Sequence, residues 1–221
     1  MPWEISLGKK RSSQHNMRKN GDRALDWLIL AIVAALISSS YQPTQGLAAV
    51  IFFVALIGFF RSRLPKRIPT SKINLLSDLI GIVFGFVALT VAGGIYETLH
   101  NVMSQRAISV TAAPFYEEFL KAGGIYVLVL KSWRLLKPRR AIAISGLLAG
   151  LVFGIGEGLS QPSIYRVITA PLHGLETMSF ALGVRSLATG SGRRALVSAT
   201  AYISLAILSH MIWNLFAPFL P

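Results

Sequence analysis

The sequence predicts an all-α, polytopic transmembrane helical bundle of about seven spans, and three observations predict it. Apolar residues make up 53% of the 221 positions. They fall into runs long enough to cross a hydrocarbon core of ~30 Å, and short basic or Gly/Pro-containing stretches separate the runs. The basic residues are also divided very unevenly between the two ends of those runs, the kind of bias that sets orientation in a bilayer. Spans use up nearly the whole chain, so no soluble catalytic domain fits beside them. Any chemistry belongs inside the bundle or at its rim.

Residues 1–22 read as a basic cytoplasmic tail and 23–221 as a single transmembrane domain. The spans are placed at 25–41, 46–60, 75–95, 114–130, 141–159, 171–188 and 195–217. The first reads as an uncleaved anchor, because its apolar run lacks a small-residue cleavage site followed by a soluble domain. The second is short for the core, which calls for tilting or for borrowed flanking residues. The third ends in Ala92-Gly93-Gly94, a close contact or a kink, and leads into an outer loop holding Glu97. The fourth is PFYEEFLKAGGIYVLVL, Pro114 to Leu130, with two adjacent glutamates. The fifth repeats glycine every four residues at Gly146, Gly150, Gly154 and Gly158. Such a stripe lets two helix backbones approach closely, here bringing Glu157 near a neighbour. The sixth opens at Pro171 with His173 and Glu176 in its first turns, Glu176 reading as a helix-start charge. The seventh carries His210 and Asn214 one turn apart on one face.

Charge orients these spans. The formal net charge is +13. Nineteen of the basic residues flank one side of the spans, in the clusters 9–23, 61–72, 131–140 and 185–194. Only Arg106 and Arg166 lie in the opposite loops, with Lys121 inside a span. Positive-inside bias places the N-terminus in the cytoplasm and the C-terminus outside. The basic loops face the lipid bilayer and its anionic headgroups; their distribution assigns no nucleic acid as a partner. With no cysteine, neither a disulfide framework nor a thiol nucleophile is available.

Once orientation is fixed, the polar residues acquire depth. Glu117 and Glu118 lie about one turn below the outer end of the fourth span, and Glu157 near the outer end of the fifth. His173 and Glu176 begin the sixth, and His210 and Asn214 lie in the outer part of the seventh. Four helices thus deliver Glu117, Glu118, Glu157, His173 and His210 to one depth. A carboxylate in hydrocarbon costs on the order of 2.5–3.5 kcal/mol even on the lenient insertion scale, and adjacent carboxylates repel. Such a pair marks an active site or an ion path rather than packing. Lys121 follows Glu117 by four residues and Glu118 by three, so it shares their face. It can hold one carboxylate ionised and leave the other free to exchange a proton. A proton-accepting carboxylate beside histidines is the equipment for hydrolysis. His15, His100 and Glu97 read as structural.

The motifs resemble those of the PrsW-type intramembrane proteases, a family grouped with the CaaX-processing Rce-type endoproteases and the bacteriocin-processing (abortive-infection) membrane proteins. Glu117-Glu118-Phe-Leu-Lys121 resembles EExxK, and Gly150-Leu-Val-Phe153-Gly154-Ile-Gly-Glu157 resembles GxxFGxxE. Arg166 followed by His173 is similar to a third motif, and His210-Met-Ile-Trp-Asn214 to HxxxN. The resemblance covers residues 114 to 214. It departs at Gly158, where the family pattern has Asn, and Ala122 and Glu157 stand where the CaaX-type pattern has Arg and His. The PrsW branch is therefore the better match.

The resemblance implies that Glu117 or Glu118 activates a water to attack a peptide carbonyl at the outer membrane face. His173 and His210 would orient the water or stabilise the oxyanion, with Asn214 as a second donor. Lys121 would tune the glutamates, and Glu157 would orient a histidine. The substrate it implies is a membrane-anchored protein such as an anti-sigma factor, and the setting a prokaryotic plasma membrane. A bound Zn²⁺ stays open: if present, Glu117, Glu118, His173 and His210 would hold it. With no HExxH pair, the metal-free mechanism is preferred. The rival readings are a non-enzymatic scaffold or degenerate homologue, and a small proton-coupled carrier, since intramembrane Glu/His chains also relay protons.

Overall fold

The computed structural model describes residues 45–63, 70–131, 138–160 and 164–217. The predicted first span, the tail 1–22 and His15 lie outside them. Among the described residues all regular structure is helical, without strands. In chain order these are α1 Gln45–Arg63, α2 Thr70–His100, the single turn α3 Gln105–Ala107, a π-helical segment Ile108–Ala112, α4 Ala113–Lys121 and α5 Gly123–Lys131. Then come α6 Arg139–Ser160, α7 Ile164–Thr189 and α8 Gly192–Phe216. Among the described residues three helices are long and apolar enough to cross a membrane: α2 over Lys72–His100, α6 over Arg139–Leu159, and α8.

Packing proceeds from a central α6, which lies against α7 on one side and α2 on the other, while α8 packs on α7. Glycine makes the α6–α7 contact close. A Cβ on Gly146 would stand 2.8 Å from the Thr177 carbonyl oxygen, one on Gly154 would stand 2.7 Å from Ala170 Cα, and one on Gly150 would collide with the His173 carbonyl. Three members of the stripe thus face one helix at four-residue intervals, as small-residue contacts in membranes do. Phe53, Phe84 and Phe153 fill the core with Ile80, Leu128 and Ile142. Large apolar side chains such as Phe86, Phe119, Leu159, Leu205 and Ile212 face outward. Outward-facing apolar side chains around a buried polar centre suit a lipid surround.

Four expected boundaries are corrected. The fourth span is not one helix. It breaks at Ala122, whose ψ is 1° and whose N–H reaches back to the Glu118 and Leu120 carbonyls. Gly123 and Gly124 restart the chain as α5, nesting against the Phe84 and Phe53 rings and Ile80. Upstream, helix extends back from Pro114 to Gln105, so the glutamates are a dozen residues into a continuous helical stretch rather than one turn from its end. The sixth span starts at Ile164 with Pro171 inside it. His173 is nine residues in, about 13 Å along the axis at 1.5 Å per residue. Finally, α2 continues to His100, so Glu97 belongs to its last turns and not to a loop. Gly93 leaves α2 unbroken and meets nothing within 4 Å.

Candidate active site

Helix α4 has inverted polarity. Phe115 and Phe119 point outward, while Glu117, Glu118 and Lys121 are buried against the bundle. Spacings of three and four put the acids and the lysine on one stripe. Lys121 Nζ is 2.5 Å from Glu118 Oε1 and 4.0 Å from Glu117 Oε2. It also stands 3.1 Å from His173 Nδ1 and lies over the Phe153 ring, 4.4 Å from its centroid.

Glu118 is fully buried, and its partners come from three helices. Its Oε1 takes Lys121 and His210 Nδ1, the latter at 3.2 Å, and its Oε2 accepts from the Thr177 hydroxyl at 2.8 Å. A buried carboxylate survives only when paired and hydrogen-bonded in this way. His173 has both nitrogens engaged: Nε2 is 2.8 Å from Glu157 Oε2, and Nδ1 lies 3.3 Å from Glu176 Oε2. Glu176 Oε1 accepts from Ser209 at 3.3 Å. The two imidazoles meet edge to face with centroids 4.7 Å apart. Glu117 differs from its neighbours. Among the described residues its Oε2 is buried without a hydrogen-bond partner, and His210 Nε2 stands 3.5 Å from it.

The structure therefore brings together Glu117, Glu118, Lys121, Glu157, His173 and His210, as the sequence reading expected. Asn214 is a correction. It shares His210's helix, but its amide donates to the Ser109 carbonyl at 2.8 Å instead of into the cluster. Arg166 occupies the first turn of α7, and its side chain lies outside the described residues. Sequence reasoning missed Glu176 and Thr177. Their signal was present: they follow His173 by three and four residues, one helix face. The proline obscured it. Pro171 is read naturally as a first helical residue, which puts Glu176 at a helix start in the interface instead of in mid-helix.

Metal-ligand chemistry is also represented. One donor atom each from Glu118, His173, Glu176 and His210 lies within 4.8 Å of the others. Glu176 thus replaces Glu117 in the set the sequence reading named. Lys121 Nζ, however, already bonds Glu118 and His173, two of those four donors. The ammonium thus competes with a cation for two of the four donors. Four carboxylates face one lysine and two histidines, so the cluster holds protons that can move between partners.

Comparison with protein-family models, with curated proteins and with solved structures finds no match to the chain.

Proposed function

We propose that this chain is an intramembrane endopeptidase of the PrsW type, working without metal, with Glu117 as the carboxylate that activates water. The observation that carries the reading is the state of Glu117 Oε2. Among the clustered carboxylates, Glu118, Glu157 and Glu176 each take a hydrogen bond, and Glu117 Oε2 takes none. Glu118 and Lys121 are the fixed pair, and Glu117 is the group left over for chemistry.

His210 is oriented for the same task. Its Nδ1 faces a carboxylate that can only accept, so Nδ1 carries the proton and Nε2 presents a lone pair toward Glu117. A water held by Glu117 Oε2 and His210 Nε2 gives up a proton to that pair as its oxygen bonds to the scissile carbonyl carbon. The proton then passes to the amide nitrogen as the carbon–nitrogen bond breaks, leaving a carboxylate and an amine. His173 acts as a bridge between Glu157, Glu176 and Lys121, holding the assembly instead of touching water. A substrate helix has to unwind before its backbone can enter, because helical carbonyls are already bonded. The orientation proposed is cytoplasmic N-terminus and outer C-terminus over seven spans, in a prokaryotic plasma membrane. The substrate is a membrane-anchored protein cut near the outer face.

A proton-relay carrier is the second reading, and the unbroken chain of contacts from Glu157 through His173, Lys121 and Glu118 to His210 favours it. One experiment separates the two. Wild type and Glu117→Gln are expressed at equal membrane levels, and membrane-protein fragments are compared by quantitative proteomics. Fragments that vanish with Glu117 and end near an outer membrane boundary are expected. Identical fragment profiles from two folded proteins overturn the protease.

A further inference from the structure

The π-helical segment ahead of α4 has a bonding problem that only one residue solves. In an α-helix the Ser109 carbonyl would accept from the N–H of Ala113. Here that N–H goes to Ile108, five residues back, and so closes the π turn. The next amide in line for Ser109 is residue 114, which is proline and has no N–H. The widening has its own cause, since a proline ring in a regular helix collides with the carbonyl four residues before it. Pro114 is buried and Ser109 half-buried, so the orphaned carbonyl sits where water is only partly at hand. Asn214 fills the gap from α8, its Nδ2 donating to Ser109 O at 2.8 Å.

We infer that Asn214 is a positioning residue: it satisfies the Ser109 carbonyl that Pro114 orphans, and thereby fixes the rotational setting of α4, which presents Glu117 and Glu118. The lever is large. One extra residue in a helical turn rotates everything beyond it by about 100° relative to an uninterrupted α-helix. Glu117 and Glu118 follow Pro114 by three and four residues, so their aim depends on whether the π turn persists. Asn214 joins that turn to the helix bearing His210, tying Glu117's phase to the histidine it faces. Mid-helix π turns recur at functional sites, where they aim side chains that a regular helix would point elsewhere.

The activity side of this inference rests on the protease reading above; the stability side does not. A double-mutant cycle tests both. Wild type, Asn214→Leu, Pro114→Ala and the double variant are purified in detergent. Thermal midpoints are measured, together with the rate at which each releases the Glu117-dependent fragments from membranes. Asn214→Leu keeps the volume and removes the donor, and is expected to lower the midpoint and slow cleavage about tenfold. Pro114→Ala supplies an N–H that can reach Ser109, so in that background Asn214→Leu is expected to leave the midpoint nearly unchanged and to change the rate less than about twofold. A loss of cleavage as large in the Pro114→Ala background as in the wild type would mean that Asn214 acts on the reacting atoms, and overturns the inference. Unchanged stability and cleavage in Asn214→Leu alone overturns it equally. If Asn214→Leu does not accumulate, Asn214→Ser, which is too short to reach Ser109, takes its place in the cycle. Coupled stabilities with no cleavage by any of the four proteins would keep the clamp and remove the protease.

Discussion

Gly150→Ala adds a single methyl group and should disable the site without replacing any of its polar side chains. The added carbon would stand 2.5 Å from the His173 carbonyl carbon and 2.8 Å from Gly174 Cα, with the His173 oxygen closer still. Carbon atoms at rest lie ~3.5–4.0 Å apart. Both obstacles are backbone, so α7 has to retreat from α6 by about 1 Å at His173. The Nε2–Glu157 bond, now 2.8 Å, would stretch past the hydrogen-bonding range of ~3.2 Å unless Glu157 follows. Overpacking of this kind costs about 1–3 kcal/mol. The gain of Ala over Gly in a helix offsets about 1 kcal/mol of that. The net loss of stability is therefore about 0–2 kcal/mol. The effect on rate should be larger, because a misplacement of about 1 Å can cost about a hundredfold. Purified Gly150→Ala and wild type would be compared by thermal denaturation and by the rate of Glu117-dependent fragment release. Gly93→Ala serves as the control, since a Cβ there meets nothing within 4 Å. A Gly150→Ala protein as active as wild type would refute the reasoning that glycine-mediated approach of α6 and α7 sets the position of His173.

Three further outcomes follow from the cluster. Glu118→Gln leaves Lys121 buried without its closest counter-charge and should cost about 3–5 kcal/mol in stability, whereas Glu117→Gln should melt within about 0.5 kcal/mol of wild type. Both should lose cleavage, so denaturation curves distinguish the two glutamates where activity does not. Thr177→Val removes the hydroxyl that donates to Glu118 Oε2 and should cost about 1–3 kcal/mol, with Thr177→Ser close to wild type in the same melt. Chelation should leave wild-type cleavage unchanged, since the Lys121 ammonium already engages two of the four candidate donors. Lys121→Ala should by contrast retain Zn²⁺ through gel filtration, as elemental analysis would show.

The helical class was legible because runs of apolar residues leave few alternatives, and the polar cluster because charges in such runs have no packing rationale. Glu117, Glu118, Lys121, Glu157, His173 and His210 could be brought together from depth and spacing alone. What escaped was everything governed by proline. Pro114 and Pro171 both read as first helical residues, yet both lie inside longer helical stretches. That reading pushed Glu176 out to the interface and hid the π turn that engages Asn214. Local sequence shows that proline lacks an N–H; it does not show that a side chain 100 residues later supplies one. The break at Ala122 escaped for a related reason. Gly123 and Gly124 permit a restart, but the aromatic rings of α1 and α2 that use the space are remote in sequence.

The Lys121–Glu118 contact also bears on how the protein is made. Both residues lie on α4, three positions apart, so they can pair as soon as that helix turn forms. The pair is thus neutralised within its own helix, before α6, α7 and α8 have been made. His173, Glu176 and His210 sit on α7 and α8, which emerge from the ribosome later and close around a pair that is waiting. The order of synthesis matches the order in which the cluster can be built, and Glu117 receives its histidine last.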